Sequence, residues 1–118
     1  MDGFRVSVIN ELRSYREVIS SAVRMFRPNI EVITRDPELS DEELIRLKAD
    51  LVICSIATPV IRAHCSAWVE LYPSSEPVAV ACIDGHRSII NEPELDDFLT
   101  IIDQVENGNV VRAGLRDA

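Results

Sequence analysis

Positive charge is scarce in this chain. Its 118 residues carry 20 acidic against 12 basic side chains, a formal charge of −8 with pI near 4.7. The electrostatic attraction that draws proteins to phosphate backbones or anionic lipid therefore has the wrong sign, which excludes nucleic acid and membrane surfaces as expected partners. Glycine is sparse too, with 4 residues, and no glycine-rich phosphate loop is present. No apolar run approaches the ~18 residues of a membrane span. The stretch Met1 to Leu12 lacks the basic and apolar regions of a leader, so a cytoplasmic location is expected. Cysteine is limited to Cys54, Cys65 and Cys82, an odd number without CxxC spacing. That fits reduced structural thiols better than a disulfide framework or a zinc site. Lysine is nearly missing: 11 of the 12 basic residues are arginine, leaving Lys48.

What remains is ordinary globular material, 47% apolar and 27% charged, in the length of one domain. The expected domain is 1–108, with a frayed tail over 109–118. Phe4 to Ile9 reads as a buried strand. Ser14 with Glu17 forms a capping-box signature, followed by Tyr15, Val18, Ile19, Ala22, Val23 and Phe26 at helical spacing. Pro28 ends that helix, and Ile30 to Thr34 is a second β-branched run. Ser40 and Glu43 form another capping box, with Leu39 placed to pack on Leu44, for a short helix Asp41 to Lys48. Leu51 to Cys54 is all apolar, as in a central parallel strand. Thr58 and Pro59 suit N-cap and N1 of a third helix that includes Ile61 and Cys65.

Trp68 to Tyr72 fits either the end of that helix or an extended segment. Val78 to Ile83 is a further strand, and Asp84-Gly85 before Ser88 to Ile90 is a type I′ hairpin signal, so this last strand runs antiparallel to its predecessor. Pro93 opens a final helix carrying Leu95, Phe98, Leu99, Ile102 and Val105, which Asn107-Gly108 is expected to stop. Strands alternating with helices predict an α/β three-layer sandwich with right-handed crossovers. In such sheets ligands gather at the carboxyl ends of the strands.

The residues at those ends carry a resemblance. Val6 to Glu11, Tyr15-Arg16-Glu17, Arg27 to Val32 and Ala49 to Pro59 together resemble the receiver domain of bacterial response regulators, well over the first half of the chain and loosely over the second. The most specific part is Asp50-Leu51-Val52 with Pro59 four residues beyond Ser55. The resemblance implies a flavodoxin-like fold with strand order 2-1-3-4-5, its fifth strand antiparallel by the Asp84-Gly85 reading. It also implies where phosphorylation chemistry would stand. The family's Mg²⁺-holding acidic pair falls on Asn10 and Glu11, its phospho-accepting aspartate on Ser55 and its switch threonine or serine on Cys82. Its lysine belongs near Asn91 to Pro93, where there is none. A serine cannot form an acyl phosphate, and Glu11 alone makes a weak Mg²⁺ site. Ser55 would need an adjacent base, and neither His64 nor His86 falls where the family keeps one.

Simpler readings stand beside the sharper ones. Cys54 and Cys82 fit core thiols better than reactive ones. His64-Cys65 lacks a matching ligand pair for zinc. Ser55 with Thr58 could bind an anion, but Thr58 also serves as a plain helix cap. Asp36 to Glu43 reads as a solvated acidic loop. Trp68 and Tyr72 suit an interface, or Trp68 simply closes the core.

The expected function is a non-catalytic, receiver-like signalling or interaction module without Asp phosphorylation, needing no cofactor and no metal. The alternative is a small-ligand sensor with Asn10, Glu11, Ser55 and Cys82 as its rim. An enzyme is the third class, and it lacks a visible base and nucleophile pair. A homodimer is expected through an interface of Trp68, Tyr72, Ser88 and Ile90, because the edge strand is open and a helix of the family is missing beside it.

Overall fold

In the computed structural model, residues 3–72 and 76–110 are described. The β-branched runs form β1 (Arg5–Val8), β2 (Glu31–Thr34) and β3 (Leu51–Cys54), joined by α1 (Arg13–Phe26) and α2 (Asp41–Leu47). After α3 (Pro59–His64) come β4 (Ala67–Leu71), β5 (Val78–Ile83) and β6 (His86–Asn91), and α4 (Leu95–Val110) closes the described chain. The sheet has six strands in the order β2-β1-β3-β4-β5-β6, with β2, β1, β3 and β4 mutually parallel and β5 antiparallel to both its neighbours.

This corrects the expected order 2-1-3-4-5. The open stretch at Trp68 is a strand of its own and takes the fourth place. Its alternation explains why: Ala67, Val69 and Leu71 enter one core cluster while Trp68 enters the other, a period of two that no helix can satisfy. The Asp84-Gly85 hairpin is present, both residues at positive φ of 51° and 85° as a type I′ turn requires.

Alternating side chains divide the apolar residues into two clusters. One combines Val6, Val8, Leu51, Ile53 and Val69 with Ile19 and Val23 of α1 and Phe98, Ile102 and Val105 of α4. The other combines Val52, Cys54, Trp68 and Cys82 with Leu44 of α2 and Ile61 of α3. Each fully buried aliphatic side chain contributes roughly 1.5–3 kcal/mol of transfer free energy.

Helix ends follow the sequence signals in part. Ser40 Oγ accepts the Glu43 N–H at 3.2 Å, and Thr58 Oγ1 accepts that of Ile61 at 3.3 Å. The Ser14 box does not form. α1 starts two residues earlier, with Leu12 as an N-cap lacking a side-chain bond, and Glu17 pairs with Arg13 at 2.9 Å instead. Arg16 Nη1 reaches back to the carbonyls of Asn10 and Glu11 at 2.7 and 3.1 Å, fixing how the chain enters the helix. Asn107-Gly108 does not stop α4. The helix runs on to Val110, since glycine costs only about 1 kcal/mol in a helix and Val105 is still packed in the core beneath it. Of the expected tail, residues 111–118 lie outside the described residues. Among the described residues no helix is long and apolar enough to cross a membrane.

Candidate functional site

β1 and β3 are adjacent and parallel, so the residues that follow them meet at one edge of the sheet. There Ser55 Oγ accepts the Glu11 backbone N–H at 2.7 Å, joining the loop after β1 to the loop after β3. Asn10 belongs to this seam but not to its rim. It is 0% exposed, and neither its amide nitrogen nor its amide oxygen has a partner among the described residues.

Cys82 is not at this site. Because β4 occupies the fourth position and β5 runs back against it, Cys82 pairs with Trp68 near the start of β4, at the opposite end of the sheet. The residue that follows the fourth strand is Tyr72, whose ring lies 5.5 Å from that of Tyr15 at 55°. Of the four expected rim residues, the structure places Glu11 and Ser55 together at this seam, buries Asn10 within it, and sets Cys82 elsewhere.

Trp68 is also unavailable to a partner. It is 3% exposed, with the Arg62 and Arg87 guanidiniums 5.0 and 5.5 Å from its ring centroid. One of these cations comes from α3 and the other from β6, and together they cover the indole. Ser88 is exposed and Ile90 is half-buried against the main core; the prominent apolar residue of β6 is Ile89.

Two further features stand beside this seam. Glu70 stands in β4 between apolar neighbours, and its Oε2 accepts the Ala57 N–H at 2.7 Å while Arg62 Nη2 lies 3.8 Å away. Arg62 Nε in turn donates to the Ala57 carbonyl at 2.9 Å, so both sides of that residue are tied and the β3–α3 loop is held to β4. A lone charge in an otherwise apolar alternation was the signal. The second feature is a cleft of about 550 Å³ beside Ser55, with Ile9, Leu44 and Ile61 among its apolar walls and Glu11, Glu38 and Asp41 at its margin.

The thiols are quiet. Burial pushes the Cys54 thiol far above its ordinary range, the Glu70 carboxylate adds to this, and Sγ donates to the Val69 carbonyl at 3.4 Å. Burial also raises Cys65. A thiol held protonated is a poor nucleophile and a poor metal ligand. Among the described residues no group of three His, Cys, Asp or Glu side chains is placed to hold a metal ion.

Compared with protein-family models, curated proteins and solved structures, the chain matches none.

Proposed function

We propose that this chain is a non-catalytic, receiver-like signalling or interaction module of the cytoplasm, built on a flavodoxin-like three-layer α/β domain that no longer accepts phosphate. The observation that carries this reading is the 2.7 Å bond from the Glu11 N–H to Ser55 Oγ. The position that the resemblance assigns to a phosphorylated aspartate is here a structural tie between two loops. The seam's other acid position is Asn10, buried beyond the reach of a cation in solvent. Function then rests on surfaces rather than on turnover.

Adding Mg²⁺ with acetyl phosphate or beryllofluoride tests this. Amide resonances of Asn10, Glu11, Ser55 and Tyr72 stay in place on this reading, and saturable shifts there overturn it.

One observation favours a second reading as a small-ligand sensor. The cleft combines apolar walls with polar groups, the carboxylates of Glu11, Asp36, Glu38 and Asp41 among them, and such a combination can hold a small molecule. A fragment screen by NMR separates the two. Saturable shifts clustered on Leu44, Ile61 and Ser55 support the sensor; no cluster there leaves the interaction module.

A further inference from the structure

The sheet has two edges, and they are finished differently. At β2 the backbone groups of Val32 and Thr34 face outward, since Glu31 and Arg35 donate inward to Phe4 and Val8 at 2.9 and 3.1 Å. Both outward carbonyls are occupied: Val32 accepts from Arg24 at 3.2 Å and Thr34 from Arg35 at 2.8 Å. That edge is blunted against further pairing.

β6 has no such protection. The Glu92 N–H donates to the Pro77 carbonyl at 2.8 Å, which sets the phase of the β5–β6 ladder. His86, Ser88 and Ile90 turn their backbone groups toward β5, and Arg87, Ile89 and Asn91 turn theirs outward. Among the described residues no side chain bonds those outward groups. Ile89 is 66% exposed at the middle of the strand. Arg87, the charge best placed to guard the edge, lies instead over Trp68.

We propose that β6 pairs antiparallel with β6 of a second copy of this chain, about a two-fold axis through Ile89, to make one continuous sheet across the dimer. The register follows from the phase. Ile89 opposite the partner's Ile89 places Arg87 opposite the partner's Asn91, so every outward residue meets an outward residue. Shifting the centre to Ile90 would set Arg87 against the partner's Pro93, which has no N–H.

Charge selects the same arrangement. Two chains of −8 repel one another, yet antiparallel pairing brings the basic start of each strand, His86-Arg87, to the partner's Asn91-Glu92 end. A strand of unrelated sequence has no such built-in match, whereas a two-fold axis supplies it twice. The contact is small beside the ~1,200 Å² of stable interfaces, so Kd is expected at about 1–100 μM. This inference is independent of the reading of the Ser55 seam; of the expected interface of Trp68, Tyr72, Ser88 and Ile90 it keeps the edge strand, sets aside Trp68 and Tyr72, and centres the contact on the outward row at Ile89.

The test is sedimentation equilibrium of the whole chain from about 10 to 500 μM, the range bracketing that affinity. The parent is expected to shift from monomer to dimer. Ile89→Pro removes an N–H that makes no bond within the monomer, so it is expected to keep a folded circular-dichroism spectrum and stay monomeric throughout. Ile90→Pro, which deletes a β5–β6 bond, is expected to destabilise the fold instead. Should Ile89→Pro unfold, two other readouts serve: Ile89→Lys, expected to be monomeric, and amide exchange of Arg87, Ile89 and Asn91, expected to slow as concentration rises. A parent that stays monomeric at the highest concentration overturns the proposal. So does a folded Ile89→Pro or Ile89→Lys that dimerises like the parent, or exchange at those amides that ignores concentration.

Discussion

Replacing Glu70 by alanine is expected to weaken the fold more than any other single change at the strand-end face. Its carboxylate is the acceptor for the Ala57 N–H at 2.7 Å, on a side chain only 12% exposed. Ala57 is itself buried, so solvent is poorly placed to replace the lost acceptor. A hydrogen bond to a charged group contributes roughly 1.5–3 kcal/mol, and an orphaned buried donor costs about 1–3 kcal/mol; these overlap, giving a loss of about 2–4 kcal/mol for Glu70→Ala. Glu70→Gln retains an oxygen acceptor and is expected to lose about 1 kcal/mol. In thermal unfolding the alanine variant should melt roughly 8–15 °C lower. Trp68, the sole tryptophan, sits beside this network with Arg62 above its ring, so urea unfolding can be followed by its fluorescence. A cost for Glu70→Ala below about 0.5 kcal/mol, or a glutamine variant as damaged as the alanine one, would refute the role given to this carboxylate.

Other outcomes follow from single features. Lys48 ends α2 in the left-handed region at φ 49°; Lys48→Gly is expected to raise stability by about 0.5–1 kcal/mol in urea unfolding. The Arg27 guanidinium bonds both Asp103 oxygens at 2.8 and 2.7 Å and holds that carboxyl below its ordinary 3.8. A lowered folded-state value contributes stability above about pH 4 that fades as pH falls further. Asp103→Asn should therefore unfold at lower urea than the parent at pH 7, with the gap closing toward pH 2–3. With a thiol reagent at pH 8, Cys65 is expected to react first while Cys54 and Cys82 react only on unfolding, as mass mapping would show; early labelling of Cys54 contradicts its buried, protonated state.

The parts of the fold legible beforehand were those with a strong local code. Ser40 and Thr58 announce their helices because a side-chain oxygen three residues before a free N–H is a local geometry. Asp84-Gly85 announces its hairpin because few residues accept positive φ at both positions. Trp68 to Tyr72 stayed ambiguous since Glu70 interrupts its apolar pattern, and only the sheet reveals that this carboxylate faces Ala57 and Arg62. The misplacement of Cys82 follows from that one ambiguity: with a strand uncounted, the direction of β5 was reversed and its far end taken for the functional one. The Asn10, Glu11 and Ser55 seam was legible through the Val- and Ile-rich run of β1 and the all-apolar run of β3, which mark both as buried, central strands. The 2.7 Å bond that makes it a tie was not, because a serine hydroxyl carries no sequence mark of the partner it finds.

The central claim is that Ser55 is a structural link and not a phosphoryl acceptor. Intact-mass spectrometry after prolonged incubation with acetyl phosphate and Mg²⁺ tests it most directly, with Ser55→Ala treated alongside. The unmodified mass is expected for both chains. A gain of one phosphoryl group on the parent that is lost in Ser55→Ala would contradict it.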